Sequence, residues 1–247
     1  MQINAVNINN SAQKTPNFKH LNPWEDSPYN NIERTIVAGT TAIGVLGAMA
    51  LLAKHDGYSL APKKMFKNFK NSWLNKVEFD EKPVIGIGAG SCLGGLAGGF
   101  IIDKNKENRK AKLRETLLQI FNISVPIIFV VYAAKLGKKI GQKFFENGIK
   151  ETYRTKIPKA VGGISGLFAG VYSANIIANK INEKIFHKGK GRKVQASDFS
   201  AHLDDFCVAA QQIHDGSFVH VISRLVPAAL MVAGNEVGNT TTSNESN

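Results

Sequence analysis

Cysteine is scarce in this sequence, with two in 247 residues, Cys92 and Cys207. Neither belongs to a CxxC or a His/Cys metal spacing, so neither a structural disulfide nor a zinc site is expected. An early apolar run is also missing. The first 33 residues are polar and rich in Asn, so a cleaved secretory signal is not expected, and the first membrane helix would have to direct insertion. Nucleotide and nucleophile motifs fail residue by residue. A GxGxxG starting at Gly86 meets Ser91 where its last glycine is needed, and one starting at Gly88 meets Leu93. GxxxxGK[ST] is absent, and Ser165 stands in GISG instead of the GxSxG of a nucleophile elbow. Neither enzymatic activity nor a cofactor is expected.

What is present is blocked apolar sequence. The mean hydropathy of -0.12 is low for a membrane protein, yet four stretches, 35–53, 83–102, 116–134 and 160–179, contain no Asp, Glu, Lys or Arg. About 20 apolar residues cross a bilayer as helix, whereas stretches of about 10–14 belong more often to soluble cores. The excess of Lys and Arg, 31 against 19 Asp and Glu, lies between these blocks. Placed there, it points to anionic lipid headgroups and away from nucleic acid. The stretch 116–134 is the most apolar. That at 83–102 carries seven glycines, which offer little apolar area and make it dependent on a partner helix.

The glycines are ordered. Gly86, Gly90, Gly94 and Gly98 repeat every four residues, and Gly162, Gly166, Gly170 and Ala174 do the same. Such spacing stacks small residues on one helix face and lets two backbones approach closely. Residues around the two sets correspond at an offset of 75, which aligns Pro83 with Pro158, Ile101-Ile102 with Ile176-Ile177 and Lys63-Lys64 with Lys138-Lys139. The fold expected is therefore all-α, a polytopic membrane bundle of two tandem Gly-zipper hairpins with C-terminal amphipathic and apolar helices. Residues 1–33 read as a disordered tail and 34–193 as a membrane domain duplicated over about 34–110 and 111–190. Residues 194–235 read as a C-terminal helical segment, and 236–247 as a disordered tail. The consecutive small-xxx-small steps resemble glycine-zipper segments of many small membrane proteins. Across 35–179, a four-helix arrangement with Gly-rich spans is similar to the Tim17/Tim22 translocase family, a likeness that carries no residue role.

The linkers at 60–77 and 136–150 set aromatic stripes among cations, with Lys63, Lys64, Lys67, Lys138, Lys139 and Lys143 as the lipid-facing basic positions. Orientation does not follow, because the full segments between paired spans, 54–82 and 135–159, carry 15 Lys and Arg and the opposite side also carries 15. Polar residues within the apolar stretches are few. Ser91, Asn122, Ser165 and Asn175 could form interhelical hydrogen bonds or line a path between the hairpins. Pro126 either kinks the third helix or leaves a carbonyl for a neighbour to satisfy. Asp198, His202 and Asp205 share one face of an amphipathic helix, read as its solvated outer face. The segment 218–234 is apolar but contains Arg224 and Pro227, leaving a fifth span open. A multi-pass structural or interaction component, alone or as a homo-oligomer, is the leading functional expectation. A passive channel or permease and a soluble or peripheral helical protein are the alternatives.

Overall fold

The computed structural model describes residues 28–58, 81–145, 149–187, 193–194, 198–199, 202 and 225–242. These are helical, with no strand among them. We number the helices α1 (Asn31–His55), α2 (Glu81–Ile102), α3 (Lys106–Phe144), α4 (Ile157–Phe186) and α5 (Val226–Asn239), and a π turn at Thr152–Lys156 leads into α4. Four helical stretches, Asn31–His55, Lys82–Ile102, Lys106–Phe144 and Thr152–Phe186, are long and apolar enough to cross a membrane.

Local chemistry sets the ends. Asn30 and Glu33 form a reciprocal capping box, Glu33 N–H donating to Asn30 Oδ1 (3.0 Å) and Asn30 N–H to Glu33 Oε2 (2.9 Å). The tail expected over 1–33 therefore gives way to ordered chain before residue 33. The Asn105 side chain caps α3 by accepting from Glu107 N–H (2.9 Å). Pro158 and Pro227 lie in the first turns of α4 and α5, where a missing N–H costs nothing.

Packing is pairwise. α1 lies against α2, α3 against α4, and α2 joins the pairs through α3 and α5. In the first pair Leu52 is beside Gly86 and Val37 beside Gly98, so the helices are antiparallel. In the second, Pro158 is beside Gly137 and Pro126 beside Gly170, again antiparallel. Large apolar side chains on the outer faces are exposed, among them Ile43, Leu46, Leu93, Ile128, Phe168 and Tyr172. A soluble monomer rarely leaves so much contiguous apolar surface to water.

Three features depart from the sequence reading. The basic segment after residue 134 is no separate linker helix, because α3 runs unbroken to Phe144. Thirty-nine residues make α3 about 58 Å long at helical rise, far more than a bilayer core needs. At the other end of the chain, Glu236–Asn239 completes α5 and Thr241 is buried, so these residues are no disordered tail. Composition misassigned them because Glu236 accepts from Gln119 and the carbonyls of Gly238 and Thr240 accept from Lys112. The residues of 218–224, including Arg224, lie outside the described part, as do Lys63, Lys64, Lys67, Asp205 and Cys207.

Candidate functional site

The four glycines of the first set all face α1. A Cβ at Gly90 would stand 2.6 Å from both Gly44 O and Ala48 Cβ, one at Gly94 would run into Thr40 O, and one at Gly86 would meet Leu52 Cδ1 at 3.3 Å. Gly98 approaches Thr40 and Val37. The second set faces α3: Gly162 abuts Ala133 O, Gly166 would place a Cβ 2.6 Å from Phe129 O, Gly170 abuts Pro126, and Ala174 is buried.

Sequence reading missed a further set of close approaches. Gly95 and Gly99 face Gly234 and Gly238, seating α5 on a second side of α2. On a third side Gly88 faces Ile123 of α3, so three neighbours account for the glycine richness of α2. The signal was available. Gly95/Gly99, Gly234/Gly238 and Gly137/Gly141 are each a GxxxG step in their own right.

Where α5 ends, a buried polar cluster forms. Lys112 is fully buried, and its Nζ donates to Tyr29 Oη (2.9 Å), Gly238 O (2.8 Å) and Thr240 O (2.7 Å). Asp103 Oδ2 is 3.9 Å away, and the Tyr29 ring lies 4.7 Å below the ammonium. Tyr29 donates its hydroxyl to Asp103, whose other oxygen accepts from Asn105 N–H (2.9 Å). The ammonium thus has three hydrogen-bond acceptors for its three protons and a carboxylate nearby. Without such compensation, a buried charge costs several kcal/mol. Burial pushes the Asp103 carboxyl up, but the Tyr29 hydroxyl, Asn105 N–H, Asn108 and the Lys112 charge together hold it below the usual carboxylate range. Burial, then the Asp103 carboxylate, raises Tyr29 far above an ordinary phenol. Arg109 closes the end of α2, donating to Phe100 O (2.9 Å) and Asp103 O (2.8 Å). Two turns deeper along α3, Gln119 Nε2 donates to both Glu115 (2.8 Å) and Glu236 (2.7 Å).

A second polar element centres on Pro126. Proline has no N–H, so the carbonyl four residues earlier, Asn122 O, lacks its intrahelical donor. His202 Nε2 is 2.7 Å from that oxygen, and Asn122 Nδ2 donates to Asp198 O (3.0 Å). Of the two sequence alternatives for Pro126, a neighbour that satisfies the freed carbonyl is the one present. Asp198 and His202 are both buried, so the solvated outer face expected for them is overturned. Asn122, a backbone acceptor and a side-chain donor at once, draws them inward.

The remaining polar positions go to separate places. Ser91 is buried and donates to Leu230 O of α5 (2.7 Å). Asn175 is buried and accepts from Asn179 (2.8 Å), while Ser165 is exposed on α4. No hydrogen bond joins any two of Ser91, Asn122, Ser165 and Asn175. Lys138, Lys139 and Lys143 are exposed on the last turns of α3. Among the described residues no group of three His, Cys, Asp or Glu side chains could hold a metal ion.

Fold and site together define a class: an all-helical chain with four helices fit to cross a membrane and polar groups sequestered by helix-to-helix bonds. Comparison with protein-family models, curated proteins and solved structures finds no match.

Proposed function

We propose that this chain is a multi-pass membrane protein acting as a structural or interaction scaffold. In this reading two tandem Gly-zipper hairpins, duplicated over about 34–110 and 111–190, pack tightly alone or as a homo-oligomer. One observation carries it: the charge-free runs of paired helices begin and end at the same level. Gly137 is beside Pro158 at one rim, and Asn182 Nδ2 donates to Arg114 O (3.4 Å) at the other. Between these rims α3 and α4 present runs 116–134 and 160–179. Nineteen residues span about 28 Å, the thickness of a hydrocarbon core. The two helices of a pair in a soluble bundle have no reason to align their uncharged lengths in this way.

Within lipid the hydrophobic effect does not drive helix against helix, so close backbone approach supplies the dispersion and CH···O contacts that do. The glycine faces of α2 and α4 suit that role. The test is alkaline carbonate extraction of membranes from cells expressing the chain. Retention in the pellet with release only by detergent supports the reading, and release into the supernatant overturns it.

A further inference from the structure

Both rims keep exposed lysines, Lys104, Lys106, Lys180 and Lys184 at one and a set of five on 135–150 at the other, but the groups around them differ. At the rim formed by 103–115, Lys112 and Arg114 are buried, Arg109 binds two carbonyls, and Lys110 pairs with Glu107 at 2.9 Å. Asp103, Glu107 and Glu115 add negative charge there. At the rim formed by 135–159, Lys135, Lys138, Lys139, Lys143 and Lys150 are all exposed. Glu151 is the one acid among the described residues of that stretch.

Depth matters as much as charge. Lys135, Lys138 and Lys139 follow the last residue of the charge-free run by one, four and five positions. At helical rise that is about 1.5–8 Å, the depth of a headgroup layer whose two sides add about 10–15 Å to the core. Leu136 and Ile140, both exposed, lie at the same height. Their apolar surface suits the boundary between headgroup and acyl chain. Gly137 and Gly141 hold this part of α3 against 154–158, so the cations project from a fixed two-helix platform.

We infer that the 135–159 rim is a docking collar for anionic phospholipid in the leaflet from which it emerges, with Lys138, Lys139 and Lys143 as its principal contacts. The inference rests on the multi-pass reading above. It commits to the chain's own leaflet, because Lys135, Lys138 and Lys139 sit at that leaflet's headgroup depth, with Lys143 one turn further out.

The test reconstitutes the full chain in nanodiscs of phosphatidylcholine alone and of phosphatidylcholine with phosphatidylglycerol, then counts lipids retained after mild delipidation by native mass spectrometry. Wild type should retain phosphatidylglycerol preferentially. Each lysine near an anionic surface is worth about fivefold, so the triple K138Q/K139Q/K143Q should reduce that preference about tenfold or more. These side chains are exposed, so folding is preserved, and a melting temperature in pure phosphatidylcholine within a few degrees of wild type verifies it. The control K104Q/K106Q at the opposite rim should leave the preference intact. Equal retention by wild type and the triple variant overturns the inference, as does an equal loss from the control. Phosphatidylglycerol vesicles co-floating with chain held in phosphatidylcholine discs would place the collar against a second membrane and overturn it too. Failure to enter phosphatidylcholine discs at all would instead count against the multi-pass reading, which keeps the two failures distinct.

Discussion

At one end of α3, Lys112 reaches across to Tyr29, Gly238 and Thr240 and vanishes from the surface. At the other end Lys138, Lys139 and Lys143 are exposed. The same residue type at two ends of one helix therefore meets opposite fates, and the cause is stagger. Gly88 faces Ile123 and Gly99 faces Lys112, so Ile102 of α2 stands level with the region around Arg109. The charge-free run of α3 starts only at Thr116, roughly seven residues or 10 Å further along. The polar first turns of α3 thus lie against the apolar end of α2, where they must be neutralised. The last turns of α3 overhang α2 and need no such cover. What the comparison teaches is that charge balance between rims is a property of the packed pairs and cannot be counted from the chain.

Several substitutions would break or sharpen that contrast. The largest effect is expected at the helix contacts beneath it. Gly94→Leu drives a side chain into the α1 backbone and should cost about 3 kcal/mol or more, read as loss of folded protein in detergent-solubilised membranes. Lys112→Met empties the capped end and strands Asp103 and two carbonyls. Its expected cost is about 3–5 kcal/mol, with faster proteolysis after α5, whereas Lys139→Met should change stability by less than about 0.5 kcal/mol. Next in size, His202→Leu returns Asn122 O to an unsatisfied state at about 1–3 kcal/mol, measured as a lower midpoint of thermal unfolding. Acid should act on the capped end alone. Because the folded Asp103 pKa is depressed, its stabilisation is fully present above the unfolded value of about 3.9 and is lost as pH falls below it. In Asp103→Asn that acid-dependent part of the unfolding midpoint should disappear. The smallest effect belongs to Gly163→Ala, whose nearest neighbour would be Ala134 Cβ at 3.8 Å. There the extra methyl also removes a helix-interior glycine, so stability should hold or rise by up to about 1 kcal/mol.

The sequence was legible wherever one helix sufficed to explain a pattern. Charge-free length marked the four long helices, and the four-residue glycine period marked which side of α2 meets α1. It was illegible wherever distant segments share a polar group. Nothing near Lys112 announces that Gly238 and Thr240, more than a hundred residues on, supply its acceptors. Glu236 and Thr241 sit in a stretch that composition assigns to solvent, and His202 on a face that periodicity leaves polar. Gln119 for Glu236 and Asn122 for His202 are hydrogen-bond partners in another helix, and helical periodicity carries no record of them. The GxxxG step at Gly95 and Gly99 was visible but hidden within the stronger repeat one residue away.

Pro126 has one more consequence, for the order in which the protein can be made. The carbonyl it orphans on Asn122 is answered by a residue 80 positions later in the chain. A ribosome emits α3 well before it emits His202, so α3 must wait with an open acceptor. During that interval water or another donor has to stand in for the imidazole. The final bonding state of α3 is therefore timed by downstream sequence, and is reached only after Asp198 and His202 have come back against Asn122.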